Sequence, residues 1–246
     1  MTRLSLAIPS KGRLKEKSEA WLASAGFPVT QIGGERGYQA EIEGLGDVEM
    51  RLLSAREIAQ GLVDGSLHAG VTGEDLLHDL APTGESDFDV VKRLGFGGAD
   101  VIVAVPQAWV DVDTMSDLEA AGAAFRKAHH RRLRVATKYM RLTRRFFAAR
   151  SVGEYRLVES AGATEAAPTT GSADVIVDIT STGATLKANG LKILSDGLIL
   201  KSEAVFAVSP AAVWSPEAKA SLEVLFAGAA IKGKELLEKI EDTFLT

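Results

Sequence analysis

Three short stretches of the sequence combine charged, hydroxyl and glycine residues at spacings that suit phosphate chemistry. In residues 175–186, an apolar run leads to Asp178, and Thr182 to Thr185 then form a turn into a helix. Gly183 permits close backbone approach, successive N–H groups can bind an anion, and the helix dipole favours a phosphate there. The same residues are also explained if Thr182 only caps the helix. This stretch therefore predicts either a phosphate loop or an ordinary helix start.

The second stretch, AIPSKGRL, has Lys11 and Arg13 on either side of Gly12, where a predicted strand passes into a helix. Two cations beside a helix N-terminus suit a polyphosphate, because the fixed dipoles and the side chains both favour anions. The alternative is that both are solvated surface charges. The chain has no Walker frame ending in Gly-Lys-Ser/Thr, so a P-loop is excluded.

The third stretch is AGVTGEDLL, in which Gly73 opens a turn and Glu74 and Asp75 begin a short helix. The helix dipole alone explains acids at this position. The functional alternative is that this strand end contacts a nucleotide bound at the same site as the other two stretches.

Composition excludes several classes of function. The 28 basic and 33 acidic residues give a net charge of -5, so neither nucleic acid nor a membrane is predicted as a partner. The chain has no cysteine, and its four histidines form no zinc frame, so no metal site made by protein residues is predicted. The metal that remains plausible is Mg²⁺ held mainly by substrate phosphates. Neither a signal peptide nor a membrane-spanning run is apparent, which predicts a cytoplasmic protein.

Short β-branched runs alternate with helical patterns, which indicates an α/β fold. The predicted strands are LSLAIP, VEMRLLS, LHAGVTG, VIVAVP, LRVATKY, YRLVES, VIVDI and EAVFAVS. Helices are predicted to end at Gly26, to run over 54–64 with a Ser54 cap, and to begin at Ser215.

The domain division follows from two similar runs, VIVAVP and EAVFAVS. If they are paired crossing strands, the chain leaves a first domain near residue 103 and returns near residue 204. The first domain then contains residues 1–103 and 204–246, and the second contains residues 104–203. Proteins of this kind bind ligands in the cleft between their domains.

Taken in order, these stretches and VATKYMRLTRRFF are similar to the ATP phosphoribosyltransferase family over nearly the whole chain. The most specific part is residues 159–194, where Glu165 precedes AAP and the loop follows Asp178 at the family's spacing. Two departures are visible. Ser10 interrupts the usual opening LPKGRL, and Ile179 follows Asp178 where related phosphoribosyltransferase loops often have a second acid.

The resemblance implies a fold like that of type II periplasmic binding proteins, with two α/β domains joined by two crossing strands. It implies transfer of the 5-phosphoribosyl group of phosphoribosyl pyrophosphate (PRPP) to N1 of ATP, with release of pyrophosphate and with magnesium present. The implied PRPP-binding residues are Asp178, Thr180, Ser181, Thr182, Gly183, Ala184 and Thr185. The implied nucleotide-binding residues are Arg13, Gly73, Glu74, Asp75 and Glu165. The implied catalytic group is Asp178, Arg13 and Lys11.

Chain length further predicts the short form of the family. Only 55 residues follow Leu191, too few for the C-terminal regulatory domain of the long form once the first domain is completed. The short form works with a separate regulatory subunit that resembles a histidyl-tRNA synthetase. The resemblance also implies a homodimer within a larger hetero-oligomer.

Two other functions fit part of the sequence. A PRPP-dependent transferase that uses a free base would explain the loop after Asp178 but not the other two stretches. A solute-binding or effector-sensing module of the same fold would explain the absence of an evident acid-base pair.

Overall fold

A computed structural model of the chain describes residues 3–32, 37–160 and 162–242. The strands are β1 (Leu4–Pro9), β2 (Val29–Ile32), β3 (Gln39–Ile42), β4 (Val48–Leu53), β5 (Ala69–Gly73), β6 (Asp89–Arg93), β7 (Asp100–Pro106), β8 (Leu133–Thr137), β9 (Tyr155–Glu159), β10 (Val175–Thr180), β11 (Leu191–Leu200) and β12 (Ala204–Val208). The helices are α1 (Gly12–Ser24), α2 (Ala55–Asp64), α3 (Glu74–Leu80), α4 (Met115–His129), α5 (Met140–Ala149), α6 (Ala184–Ala188), α7 (Pro216–Gly228) and α8 (Lys234–Asp242). The α/β class predicted from the sequence is confirmed.

The chain separates into two compact units. Unit 1 comprises the described residues of Met1–Gly97 and Glu203–Thr246, and unit 2 comprises those of Gly98–Ser202. Each unit contains one sheet. The strand order is β2-β3-β4-β1-β5-β12-β6 in unit 1 and β11-β7-β10-β8-β9 in unit 2.

The two sheets share one pattern. In unit 1, β1 lies parallel between β4 and β5, and β12 runs antiparallel to both β5 and β6. In unit 2, β8 lies parallel between β9 and β10, and β7 runs antiparallel to both β10 and β11. Each sheet therefore has a strand with parallel neighbours on both sides, β1 or β8, and an antiparallel strand beyond one of those neighbours, β12 or β7. In unit 1, β3 is also antiparallel to both of its neighbours.

The predicted crossing strands need one correction. VIVAVP forms β7, which pairs with β10 and β11 in unit 2, whereas EAVFAVS forms β12, which pairs with β5 and β6 in unit 1. These two described strands therefore do not pair with each other. The first crossing lies at Gly97 and Gly98 rather than near residue 103, because Ile102 and Ala104 of β7 are buried in the core of unit 2.

The inner strands β1, β5 and β12 of unit 1 are buried nearly throughout, as expected for strands that are covered on both faces. Leu4, Leu6 and Ile8 of β1 belong to the core that includes Leu222 of α7. Ala7, on the opposite face, belongs to the core formed with Ile58 of α2. Alternating side chains thus fill two separate cores, which explains the apolar run LSLAIP.

Helix caps follow the predicted chemistry. The Ser54 side chain accepts a hydrogen bond from the Glu57 N–H in a full capping box, and Ser215 accepts one from the Ala218 N–H. Both predicted starts are confirmed. Helix α1 ends at Ser24, and Gly26 lies two residues further with a φ of 92°, so it terminates the helix from beyond the cap.

Candidate functional site

The loop after β10 is built at the edge of the unit 2 sheet. The first residues of β10 are buried, and Asp178 is half-buried near its carboxyl end. Gly183 has a φ of 73° and is the N-cap of α6. A side chain there would meet only Ile193 Cδ1, at 4.0 Å, so glycine is favoured by its backbone conformation rather than by lack of space.

Hydroxyl groups fix the shape of this loop. Thr180 Oγ1 accepts the Gly183 N–H at 2.8 Å, and Ser181 Oγ donates to the Gly98 carbonyl at 3.0 Å. Thr182 Oγ1 accepts the Ala184 N–H at 3.4 Å. Thr182 is therefore only a weak capping residue, and Thr180 is the stronger hydroxyl acceptor in the turn.

Several N–H groups of the loop have no acceptor. The backbone N–H groups of Ser181, Thr182 and Thr185 donate to no other residue in the described part of the chain. They lie around a turn that opens a helix, the arrangement that binds phosphate oxygens in many α/β proteins.

The surroundings of Asp178 shift its pKa. Burial raises the pKa of Asp178, and the nearby charge of Glu165 raises it further; the Ile179 N–H and the charge of Lys138 oppose both effects, and the net pKa is raised. The Ile179 N–H donates to Asp178 Oδ1 at 2.8 Å. A partly desolvated carboxylate beside a cation is typical of a functional position.

Lys138 is a site residue that sequence reasoning missed. Strands β8 and β10 are parallel neighbours, with Thr137 opposite Val177, so the next residues, Lys138 and Asp178, lie at the same edge. The signal was a lysine directly after a strand in VATKY, but its relevance depends on which strands pair.

A pocket of about 360 Å³ lies against this edge. Its lining residues are Ala99, Glu165, Asp178, Ile179, Thr180, Ser181, Thr182, Thr185 and Leu186. Glu165, from the short turn Thr164–Ala166, is thus grouped with the loop after β10. The volume is within the range of small-molecule sites.

The remaining candidate residues lie in unit 1, after β1 and β5. Because these strands are parallel neighbours, their carboxyl ends share one sheet edge. Lys11 is the extended N-cap of α1, and Gly12 has a φ of 70°. Lys11 and Arg13 are exposed, and neither forms an ion pair with a described residue. Both side chains are therefore free to bind an anion. The same exposure is expected if they are only solvated surface charges.

The acids after Gly73 are buried rather than open to a ligand. Glu74 is 3% exposed, and its carboxylate accepts hydrogen bonds from Nε of Arg93, at 3.2 Å, and from Arg93 Nη2. Asp75 is also buried, and a Cβ on residue 73 would collide with its carboxylate, which explains Gly73. Glu74 therefore has a structural partner, Arg93, that the sequence analysis did not identify.

Metal-binding side chains do not gather in the described ranges: no three His, Cys, Asp or Glu residues there are placed to hold a metal ion. The helices of those ranges also include none that is both long and apolar enough to cross a membrane.

Comparison with known proteins agrees with the geometry. The family model of HisG, ATP phosphoribosyltransferase, matches residues 54–227. An ATP phosphoribosyltransferase of Rhodopseudomonas palustris (strain BisB18) is 54% identical over 224 residues, which are 91% of this chain and 69% of that protein. One of Caulobacter vibrioides (strain NA1000 / CB15N) is 54% identical over 95% of this chain and 73% of that protein.

Solved structures give the same result. The ATP phosphoribosyl transferase (HisG:HisZ) complex from Thermotoga maritima is similar with a TM-score of 0.68 and 25% identity, over 92% of this chain and 98% of that chain. An ancestral arginine-binding protein is similar in fold alone, with a TM-score of 0.50 and 13% identity over 98% of this chain and 97% of that one. The predicted fold like that of type II periplasmic binding proteins is therefore confirmed. The chain belongs to the ATP phosphoribosyltransferase family, the enzymes that transfer the phosphoribosyl group of PRPP to N1 of ATP in the first step of histidine biosynthesis.

Proposed function

We propose that the loop after β10 is the PRPP site of this enzyme. The observation that carries the proposal is the run of unpaired N–H groups at Ser181, Thr182 and Thr185 directly after the half-buried Asp178. The N–H groups would bind the 5-phosphate, together with the side chains of Thr182 and Thr185. The Asp178 carboxylate would accept hydrogen bonds from the ribose hydroxyls. Thr180, Gly183 and Ala184 would maintain the turn.

The nucleotide and polyphosphate contacts are assigned to the other candidate residues. Arg13 and Lys11 would bind a polyphosphate, since both are exposed cations at the start of α1. Glu165 would contact the nucleotide from the pocket beside Asp178. Gly73, Glu74 and Asp75 would contribute mainly through their backbone, because both carboxylates are buried.

These assignments give a mechanism without a strong general base. The lone pair of adenine N1 forms a bond to C1 of PRPP as the bond from C1 to the pyrophosphate oxygen breaks, and the electron pair of that bond leaves with pyrophosphate. The positive charge that develops on the ribose would be stabilised by Asp178. Positioning and electrostatics then account for most of the barrier reduction.

Magnesium fits this site only as a substrate complex. The pocket supplies two carboxylates, Asp178 and Glu165, which are too few for a site made entirely by protein residues. Either could add one ligand to Mg²⁺ carried by the PRPP phosphates. The ion, when bound, would neutralise charge on the departing pyrophosphate.

A separate regulatory subunit is the partner we propose, as in the short form of the family. The proposal rests on the similarity to the Thermotoga maritima protein, whose structure is that of a HisG:HisZ complex. The subunit would resemble a histidyl-tRNA synthetase, and the catalytic chain would be a homodimer within the larger assembly. A cytoplasmic location accords with a chain that has no cysteine.

The site assignment is tested by PRPP binding to Asp178→Asn and Thr182→Val variants. Each loses a hydrogen bond to an ionised group, so we expect PRPP affinity to fall by about tenfold or more. Thr170→Val, in unit 2 but outside the pocket, is the matched control. Unchanged affinity in both variants would show that PRPP binds elsewhere.

The reaction is tested by mixing the protein with ATP, PRPP and magnesium and following the adenine absorbance. Substitution at N1 changes this absorbance. We expect the change when the regulatory subunit is present, and also in its absence if the chain is active alone. Turnover of free adenine instead of ATP would favour the free-base transferase. PRPP or amino acid binding without turnover, even with the regulatory subunit present, would favour a sensing module.

A further inference from the structure

Unit 1 contains a pocket that is lined by none of the residues assigned above. It has a volume of about 390 Å³, and the lining residues that matter are Arg3, Ser5, Glu49, Arg51, Ser66 and His68. It lies at the amino ends of β1 and β4, whereas Lys11 and Gly73 follow the carboxyl ends of β1 and β5. The two locations are at opposite edges of one sheet.

Strand register places the polar groups of this pocket on one face. Ser5 lies opposite Glu49, and Ala7 lies opposite Arg51, in the parallel pair β1 and β4. Alternation along each strand then puts Ser5, Glu49 and Arg51 on the same face, the one opposite Leu4 and Leu6. Ser66, just after α2, completes this polar wall.

Ser5 is the reason to infer a ligand. The residue is 6% exposed, and its Oγ is the one buried side-chain nitrogen or oxygen without a hydrogen bond among the described residues. A buried hydroxyl without a partner is unfavourable, so native proteins rarely keep one without a reason. The apolar run LSLAIP contains no other polar residue, which makes this serine conspicuous.

His68 does not supply the missing partner. Its Nδ1 accepts the backbone N–H of Ser5 at 3.1 Å, and its Nε2 bonds to the Val213 carbonyl at 3.0 Å. Both ring nitrogens are therefore used within unit 1. Burial lowers the pKa of His68, and the hydrogen bond to the Val213 carbonyl opposes this effect.

The charged residues that line the pocket are Arg3, Arg51 and Glu49, so two guanidinium groups stand against one carboxylate. Nε and Nη2 of Arg51 lie 2.8 and 2.7 Å from Glu49 Oε1. Nε of Arg3 lies 2.7 Å from Asp47 Oδ1. Each guanidinium has further N–H donors beyond these bonds. Both ion pairs are on exposed side chains, so they are weak and can rearrange around a ligand.

We propose that this pocket binds a small organic oxyanion, that is, a metabolite with a carboxylate or phosphate group. The Ser5 hydroxyl donates to one oxygen, and the Arg51 guanidinium donates to the others. Arg3 and the Ser66 hydroxyl hold the outer part of the ligand. The pocket volume suits a molecule of this size.

The test uses inorganic phosphate and acetate as probes, at constant ionic strength set with sodium chloride. The amide signals of Ser5 and Ser66 are followed by NMR during titration of the full chain. We expect saturable shifts with at least one probe, and the probe that binds more tightly identifies the ligand as phosphate-bearing or carboxylate-bearing.

The variants Ser5→Ala and Arg51→Gln should each weaken this binding by tenfold or more. Arg56→Gln, an exposed arginine of unit 1 outside the pocket, should bind like the parent chain. Equal shifts with chloride alone, or unchanged binding in both pocket variants, would overturn the proposal. Arg51→Gln alters a surface side chain, so it remains informative if Ser5→Ala changes the packing of β1.

Discussion

Single charges determine how the site responds to pH. Burial and Glu165 raise the pKa of Asp178, and Lys138 acts in the opposite direction. Since the ionised carboxylate would accept hydrogen bonds from the ribose hydroxyls, activity should rise with pH as Asp178 ionises. If Asp178 has this role, Lys138 would extend the range of activity toward lower pH, because its charge lowers the pKa of Asp178.

We predict that Lys138→Gln shifts the acid limb of kcat/KM for PRPP to higher pH, because a nearby positive charge is removed. Activity at the acidic end should fall several-fold more than at pH 8. Lys201→Gln, an exposed lysine of unit 2 outside the pocket, is the control. A uniform loss at all pH values would contradict the electrostatic role and indicate direct contact with a substrate phosphate.

The secondary-structure elements and their pairing determine which residues come into contact. All eight predicted strands form, and all but β9 contain buried residues. The strands that were not predicted are β2, β3, β6 and β11. Of these, β3 is half polar, and β11 has irregular pairing with β7 between Ile193 and Leu198, which interrupts its apolar pattern.

The site shows the same limit of sequence reasoning. Glu165 and the loop after Asp178 were predicted together, because their spacing along the chain carries the information. The nearness of Lys138 to Asp178 depends on the pairing of β8 with β10, and the bond from Arg93 to Glu74 joins separate elements. Tertiary pairing of this kind leaves no local pattern in the sequence.

The left-handed turn at Gly183 yields a prediction about an element. Gly183→Ala should destabilise the turn by about 1 kcal/mol, because an L side chain is unfavourable at a φ of 73°. The turn carries the unpaired N–H groups, so PRPP affinity should fall as well. Isothermal titration calorimetry and thermal unfolding measure the two effects.

Gly190→Ala is the matched control, since Gly190 has a φ of 68°, open space around it and no place in the pocket. The Gly190→Ala variant should lose a similar amount of stability but should bind PRPP with unchanged affinity. If both variants bind PRPP like the parent, the turn at Gly183 does not form the phosphate site.

For the whole molecule, the ion pairs of Asp174 with Arg131 and Arg134 make the stability of unit 2 depend on pH. Burial alone would raise the pKa of Asp174, but hydrogen bonds from Arg131 and Arg134 lower it well below the usual value. Arg131 Nη1 lies 2.7 Å from Asp174 Oδ2, and Arg134 Nη2 lies 3.1 Å from Oδ1. This explains part of the basic segment 126–132, whose role the sequence alone did not indicate.

We predict that Asp174→Asn lowers the free energy of unfolding of unit 2 by about 2 kcal/mol at neutral pH. A carboxyl whose pKa is lowered by folding stabilises the native state at pH values above its unfolded pKa. This contribution is lost as the pH falls from the unfolded pKa through the folded pKa. The parent chain should thus lose more stability than the variant between pH 5 and about pH 3. Denaturant unfolding at several pH values measures this.

The exposed Asp111→Asn is the control, because Asp111 forms no ion pair with a described residue. It should leave both the stability and its pH dependence unchanged. Identical acid sensitivity in the parent and in Asp174→Asn would contradict the proposed linkage.

The shared strand pattern of the two sheets makes their loops counterparts of one another. Lys11 follows β1 and Lys138 follows β8, and each of these strands has parallel neighbours on both sides, so the two lysines lie after equivalent strands. The next strands, β5 and β10, lead to the buried acids after Gly73 and to the hydroxyl-rich loop after Asp178. The two units are thus built on a shared arrangement of four neighbouring strands, and they differ chemically in the residues that follow the equivalent strands β5 and β10.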